Sequence, residues 1–235
     1  MEDENNTFNC LIRHPARILI FGPSFSGKST LVSKILRYHE QIFDIPFDRF
    51  IYCSGGSELI DIDDHVKSKI EHYESLETGL IDSLNKQQNN CFIIDDFMHR
   101  AANDLQVSEL FSKRSHHLNT TVIFLLQNIF PRSKYITDIK RNATYIILMC
   151  SPSDEKSVKQ LSQQYDPQAP NFIYSAYLDA TKNKPFSYLL IDMHQQQRNE
   201  VRVRNNVVPN ETTETFAYIQ IPEYIKLLKR IGSTS

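Results

Sequence analysis

The sequence predicts an α/β fold in which a central, mostly parallel sheet is flanked by helices. Three observations lead there. Short apolar runs recur along the chain at the length of buried strands. Stretches of helical periodicity lie between them, the alternation expected of parallel βαβ units. The first apolar run also passes directly into a glycine-bounded loop and then into an amphipathic segment.

Residues 1–14 read as an N-terminal extension. Its Met1-Glu2-Asp3-Glu4 start is acidic and lacks the basic-then-apolar order of a signal peptide. Ile18–Phe21 is the first strand, extending back to Arg17, and Leu31, Ile35 and Leu36 mark one face of the following helix. Phe50–Cys53 is the second strand. Phe92–Ile94, Val122–Leu126 and Tyr145–Met149 are further strands, with a helix expected between Val107 and His117. Phe172–Leu178 and Phe186–Met193 flank Asp179-Ala180-Thr181-Lys182-Asn183-Lys184-Pro185 and read as a C-terminal β-hairpin added at the sheet edge. From about Gln195 the chain turns polar and Asn-rich, then closes on a short amphipathic stretch, Tyr224–Ile231. The expected organisation is one core over 15–195 with a tail over 196–235.

The chain has 235 residues, 40% of them apolar and 23% charged, enough to build a core. It holds no run of about 18 apolar residues, so no membrane span is expected. Cys10, Cys53, Cys91 and Cys150 are far apart, which fits a reducing compartment better than a disulfide framework. Near-neutral totals conceal a polarised layout. Residues 57–83 carry eight acids and two lysines; residues 112–142 carry Lys113, Arg114, Arg132, Lys134, Lys140 and Arg141 against Asp138 alone. A basic half suits a phosphate-bearing partner, although a solvated surface gives the same pattern.

The loop Gly22-Pro23-Ser24-Phe25-Ser26-Gly27-Lys28-Ser29, followed by Thr30, fits G-x-x-x-x-G-K-[ST] at every fixed position. Glycines let the backbone wrap close to phosphate with its N–H groups inward. The helix that starts at Lys28 offers its positive end to the anion. Lys28 is expected to reach the β- and γ-phosphates of ATP, and the Ser29 hydroxyl to hold Mg²⁺. A strand before and a helix after are the context this motif requires. Two of the chain's six glycines occupy its two glycine positions.

Cys91-Phe92-Ile93-Ile94-Asp95-Asp96 ends an apolar run on two acids. Asp95 is expected in the Mg²⁺ shell and Asp96 to polarise the attacking water. Buried acids need a cation or donors facing them. A helix N-cap is the structural alternative. Val122–Leu126 ends on Gln127-Asn128, and Gln127, an amide at a strand end, can bond both γ-phosphate and water. Asn85-Lys86-Gln87-Gln88 lacks the acid of the guanine-reading N-K-x-D motif, so ATP is preferred. Leu161-Ser162-Gln163-Gln164 lacks the glycines of a transporter signature.

Taken together, these residues resemble the FtsK–HerA superfamily of DNA-pumping ATPases. More narrowly, they are similar to the genome-packaging ATPases of adintoviruses and Maverick/Polinton-type elements. The carrying segments are Ile93–Met98, Leu110–His117, Val122–Phe130, Asp179–Thr181, Pro185–Asp192 and Arg202–Arg204, within about residues 15–210. The resemblance implies an additional-strand, RecA/FtsK-like P-loop NTPase core, with the Gln127 strand between the P-loop and Asp95 strands. It implies a hexameric or pentameric ring around double-stranded DNA, a capsid or portal partner, and a host nucleus or cytoplasmic virus factory as compartment. It carries Lys28 and Ser29 over as phosphate and Mg²⁺ ligands, Asp95 and Asp96 as the acidic pair, and Gln127 as sensor. Asp96 stands where many members carry Glu. Arg114, Arg132 and Arg141 remain the arginine-finger candidates, since Ser151–Lys156 lacks the arginine often found there. A nucleotide-gated scaffold with little turnover, and a helicase or partition ATPase, are the alternative functions on this core.

Overall fold

The structure, a computed structural model, describes residues 10–220 other than 57, 58, 60, 61, 78, 96, 97, 183, 184 and 210–214. Its strands are β1 (Arg17–Phe21), β2 (Arg49–Ser54), β3 (Ile70–Tyr73), β4 (Asn90–Asp95), β5 (Thr120–Leu126), β6 (Tyr145–Met149), β7 (Tyr188–Asp192), β8 (Val203–Asn205) and β9 (Phe216–Tyr218). The helices are α1 (Lys28–Arg37), α2 (His39–Ile42), α3 (Asp64–Lys67), α4 (Met98–Ala101), α5 (Leu105–Glu109), α6 (Ser115–His117), α7 (Ile136–Asn142), α8 (Glu155–Tyr165) and α9 (Phe172–Thr181). A π turn, Leu110–Arg114, joins α5 to α6.

The described strands form one sheet in the order β3-β2-β4-β5-β1-β6-β7-β8-β9. From β3 to β6 every pairing is parallel; β7, β8 and β9 are added antiparallel. This is a mixed α/β architecture of the P-loop NTPase type. The Gln127 strand, β5, lies between β1 and β4 as the resemblance implied.

The central strands are unbroken apolar runs because both of their faces are covered. Leu19, Phe21, Phe92, Ile94, Val122, Phe124 and Leu126 pack with Val107, Leu110, Phe111, Ile139 and Leu161 of the helices on one side. Ile18, Ile20, Cys91, Ile93, Ile123 and Leu125 pack with Leu31, Val32, Ile35 and Leu36 of α1 on the other. Alternation along each strand splits its residues between two cores. At the β3 edge, Arg49 grips Glu71 with two bonds, at 2.6 and 2.8 Å. That pairing holds the Glu71 carboxyl below its ordinary range.

One expected element is different. Phe172–Leu178 is not the first strand of a hairpin but most of helix α9. Its buried residues, Ile173, Ala176, Tyr177 and Ala180, follow helical spacing, and a strand would have buried alternate positions. They close the core beneath β7. The antiparallel addition is built instead from β7, β8 and β9. The stretch Tyr224–Ile231 lies outside the described residues. Among the described residues no helix is long and apolar enough to cross a membrane.

Candidate nucleotide-binding site

Parallel strands bring their carboxyl ends to one edge, where open α/β sheets bind ligands. Phe21, Ser54, Asp95, Leu126 and Met149 lie along that edge. The antiparallel β7 brings its first residue there too, since Tyr188 pairs with Met149. The loop Gly22–Gly27 springs from it.

The loop is held close to the sheet. The Gly22 N–H donates to the Leu126 carbonyl at 3.0 Å, and the Ser26 N–H to the Pro23 carbonyl at 3.3 Å. A Cβ at Gly22 would lie 2.5 Å from Ser26 Oγ and 2.7 Å from Met149 Cβ, so only glycine fits that approach. Gly27, the N-cap of α1, has φ 92°. Phe25 also takes a left-handed φ, 63°, with its side chain 99% exposed. A non-glycine residue in that region costs about 1–2 kcal/mol, a form of strain that collects at ligand loops. No side chain caps α1, so its first N–H groups and the positive end of its dipole face the loop.

Lys28 is buried and folds back across the loop, donating to the carbonyls of Gly22 at 2.7 Å and Pro23 at 2.8 Å. Ser29 Oγ donates to Asp95 Oδ2 at 2.7 Å. This bond joins the loop–helix junction to the acid-ended strand two places away in the sheet. Asp95 is 1% exposed. Its Oδ2 accepts a second bond, from the Tyr52 hydroxyl at 2.9 Å. Burial of a carboxylate is costly, and charge-assisted donors offset that cost.

Lys28, Ser29 and Asp95 are thus brought into one site, with Thr30 on the first turn of α1 and Gly22–Ser26 as its wall. Gln127 is exposed at the residue after β5, at the same edge. Asp96 lies outside the described residues. The three arginines separate by topology. Arg132 is exposed on the segment leaving the carboxyl end of β5. Arg141 lies in the last turn of α7, near the start of β6 and hence at the opposite edge. Arg114 lies on the segment returning to the start of β5 and donates to Asp82 at 2.5 Å. Lys140 is half-buried. It donates to the Ile129 carbonyl at 2.9 Å, and burial lowers its pKa.

The donor set fits a Mg²⁺–nucleotide. Ser29 and Asp95 supply hard oxygens, and Mg²⁺ typically takes few protein ligands beside substrate phosphates. Ser26 Oγ is buried without a partner among the described residues, an unmet polar atom in the wall of the cradle. Tyr52 was missed from sequence. The available signal was a tyrosine inside an apolar run, whose hydroxyl needs a buried partner.

No protein-family model matches the chain, and no curated protein matches it. Solved structures do share its fold. The genome packaging NTPase B204 from Sulfolobus turreted icosahedral virus 2, in complex with ATP-gammaS, superposes with a TM-score of 0.54 at 15% identity, covering 84% of this chain and 97% of that one. The same protein with sulfate gives 0.50 at 14% identity, over 77% and 93%. At such identity the likeness establishes the fold, that of a P-loop NTPase.

Proposed function

We propose that this chain is an ATP-hydrolysing motor that moves viral double-stranded DNA into a preformed capsid. The observation that carries the reading is the 2.7 Å bond between Ser29 Oγ and Asp95, which joins the loop–helix junction to an acid-ended strand. The likeness in fold to a viral genome packaging NTPase supports the packaging role.

In this reading Gly22–Thr30 wraps the phosphates. Lys28 leaves its two carbonyls for the β- and γ-phosphate oxygens. Ser29 and Asp95 would hold Mg²⁺, which would neutralise charge developing on the phosphates. Asp96 accepts the proton of the attacking water, and Gln127 orients that water against the γ-phosphate. Arg132, on the catalytic edge, is the arginine best placed to reach a nucleotide held by a neighbouring copy in a hexameric or pentameric ring. Exposed cations within 112–142, Lys113 and Lys134 among them, contact the DNA backbone without reading sequence, so the grip weakens with salt.

The test is ATP hydrolysis with and without duplex DNA, by wild type and Lys28→Ala. Duplex stimulation in wild type alone supports the motor. Equal rates in both proteins refute it, and tight ATP binding by assembled rings with no single-turnover hydrolysis would point to a scaffold.

A further inference from the structure

We infer that Phe186 is the platform on which the nucleobase stacks. The inference rests on the reading of Gly22–Thr30 as a nucleoside triphosphate site and adds its base-binding side. Ser29 and Asp95 fix the metal-facing end of the phosphates towards β4. Sheet order then leaves the flank of β1 away from β4 and β5, the β6–β7 side, for the rest of the nucleotide. Phe186 stands there, two residues before β7.

Its ring rests on the N-cap of α1. A Cβ built on Gly27 would meet Phe186 Cδ1 at 2.9 Å and Cβ at 3.2 Å. The ring therefore borders the phosphate loop. The position is anchored, because the Cys150 N–H donates to the Ser187 carbonyl at 2.8 Å and so ties the turn to the end of β6. Phe186 is nevertheless 64% exposed and adopts φ 62°. An exposed apolar side chain alone means little. An exposed aromatic held in a strained backbone, on an anchored turn, against the helix cap that receives phosphate, has the properties of a stacking surface.

Stacking uses the π-face that every base presents, so it gives affinity with little readout of base edges. Purines offer the larger face. Phe186 thus favours purine over pyrimidine triphosphates.

The experiment is calorimetric titration of Mg²⁺ complexes of ATP, CTP and inorganic tripolyphosphate against wild type, Phe186→Ala, Phe186→Trp and Lys28→Ala. Phe186→Ala should weaken ATP about 5- to 150-fold, as loss of one stacked base does, and leave tripolyphosphate unchanged. Phe186→Trp should keep ATP affinity. The chain has no tryptophan, so that variant's emission reports on position 186 alone. ATP should quench it and tripolyphosphate should not. If Phe186→Ala weakens both ligands equally, the ring only supports the loop and the platform is refuted. Unchanged ATP binding in Phe186→Ala refutes it too. If Lys28→Ala binds tripolyphosphate as wild type does, the phosphate site itself is wrong and the platform falls with it.

Discussion

Gly22→Ala tests the cradle most directly. Gly22 is not among the residues with positive φ, so alanine meets no backbone strain there; the only obstacle is space. The added methyl would sit 2.5 Å from Ser26 Oγ, 2.7 Å from Met149 Cβ and 3.0 Å from Met149 Cγ. Carbon contacts are comfortable at about 3.5–4.0 Å, so something must move by roughly 1 Å. Met149 Cβ cannot yield easily, since β6 is paired to β1 on one side and to β7 on the other. The loop moves instead. Overpacking of this kind costs about 1–3 kcal/mol of stability. A displacement near 1 Å in a ligand-positioning loop costs on the order of 100-fold in function. Urea unfolding and ATP turnover measure the two effects. Gly79→Ala is the control, because φ there is 89° and a Cβ meets nothing within 4 Å. It should cost about 1–2 kcal/mol through backbone strain alone and leave turnover untouched. A Gly22→Ala protein as stable and as active as wild type would refute the close approach of loop and β6.

Tyr52→Phe removes a donor from a buried carboxylate. Unfolding free energy without nucleotide should fall by about 1.5–3 kcal/mol, the usual worth of a bond to a charged acceptor. The variant should also shift the Mg²⁺ concentration that half-saturates ATP turnover; no change in either would detach Tyr52 from the site. A pH dependence follows from His14 and His39. Burial is the largest influence on each and lowers its pKa from 6.5. The folded protein therefore resists protonation that the unfolded chain accepts. Stability is fully present above about pH 6.5 and declines as pH falls below it. Unfolding midpoints at pH 8, 7, 6 and 5 check this, and a midpoint that rises on acidification contradicts it.

The parts legible in the sequence share a physical feature. Runs such as Val122–Leu126 and Tyr145–Met149 are buried on both faces, so apolar continuity alone marks them. The phosphate loop is written in consecutive residues, and its chemistry tolerates little variation. What escaped detection lacks these properties. β3 is an edge strand, half-buried and rich in polar residues, so its apolar signal is weak. In α9, Phe172, Tyr174 and Leu178 lie outside the buried helical stripe, and an apolar run without a polar face does not declare its period. Tyr52 and Phe186 act through contacts 43 and 159 positions away, with Asp95 and Gly27. Only the fold makes those pairs neighbours.

The site's resting contacts also bear on how it can bind. Lys28 is bonded to two loop carbonyls, and Ser29 and Tyr52 are bonded to Asp95. Neither Lys28 nor Asp95 waits unpaired for a ligand, which limits the desolvation cost of keeping a lysine and an aspartate buried. A phosphate that recruits Lys28 therefore exchanges bonds and does not add two to the total. The gain is the difference between an ammonium on neutral carbonyls and the same ammonium on an anion. At Asp95 the Ser29 and Tyr52 donors are neutral hydroxyls, and a divalent cation would add charge–charge attraction that these two bonds lack. Affinity for the nucleotide should accordingly depend more steeply on Mg²⁺ in wild type than in Asp95→Asn, which keeps the acceptor and loses the charge.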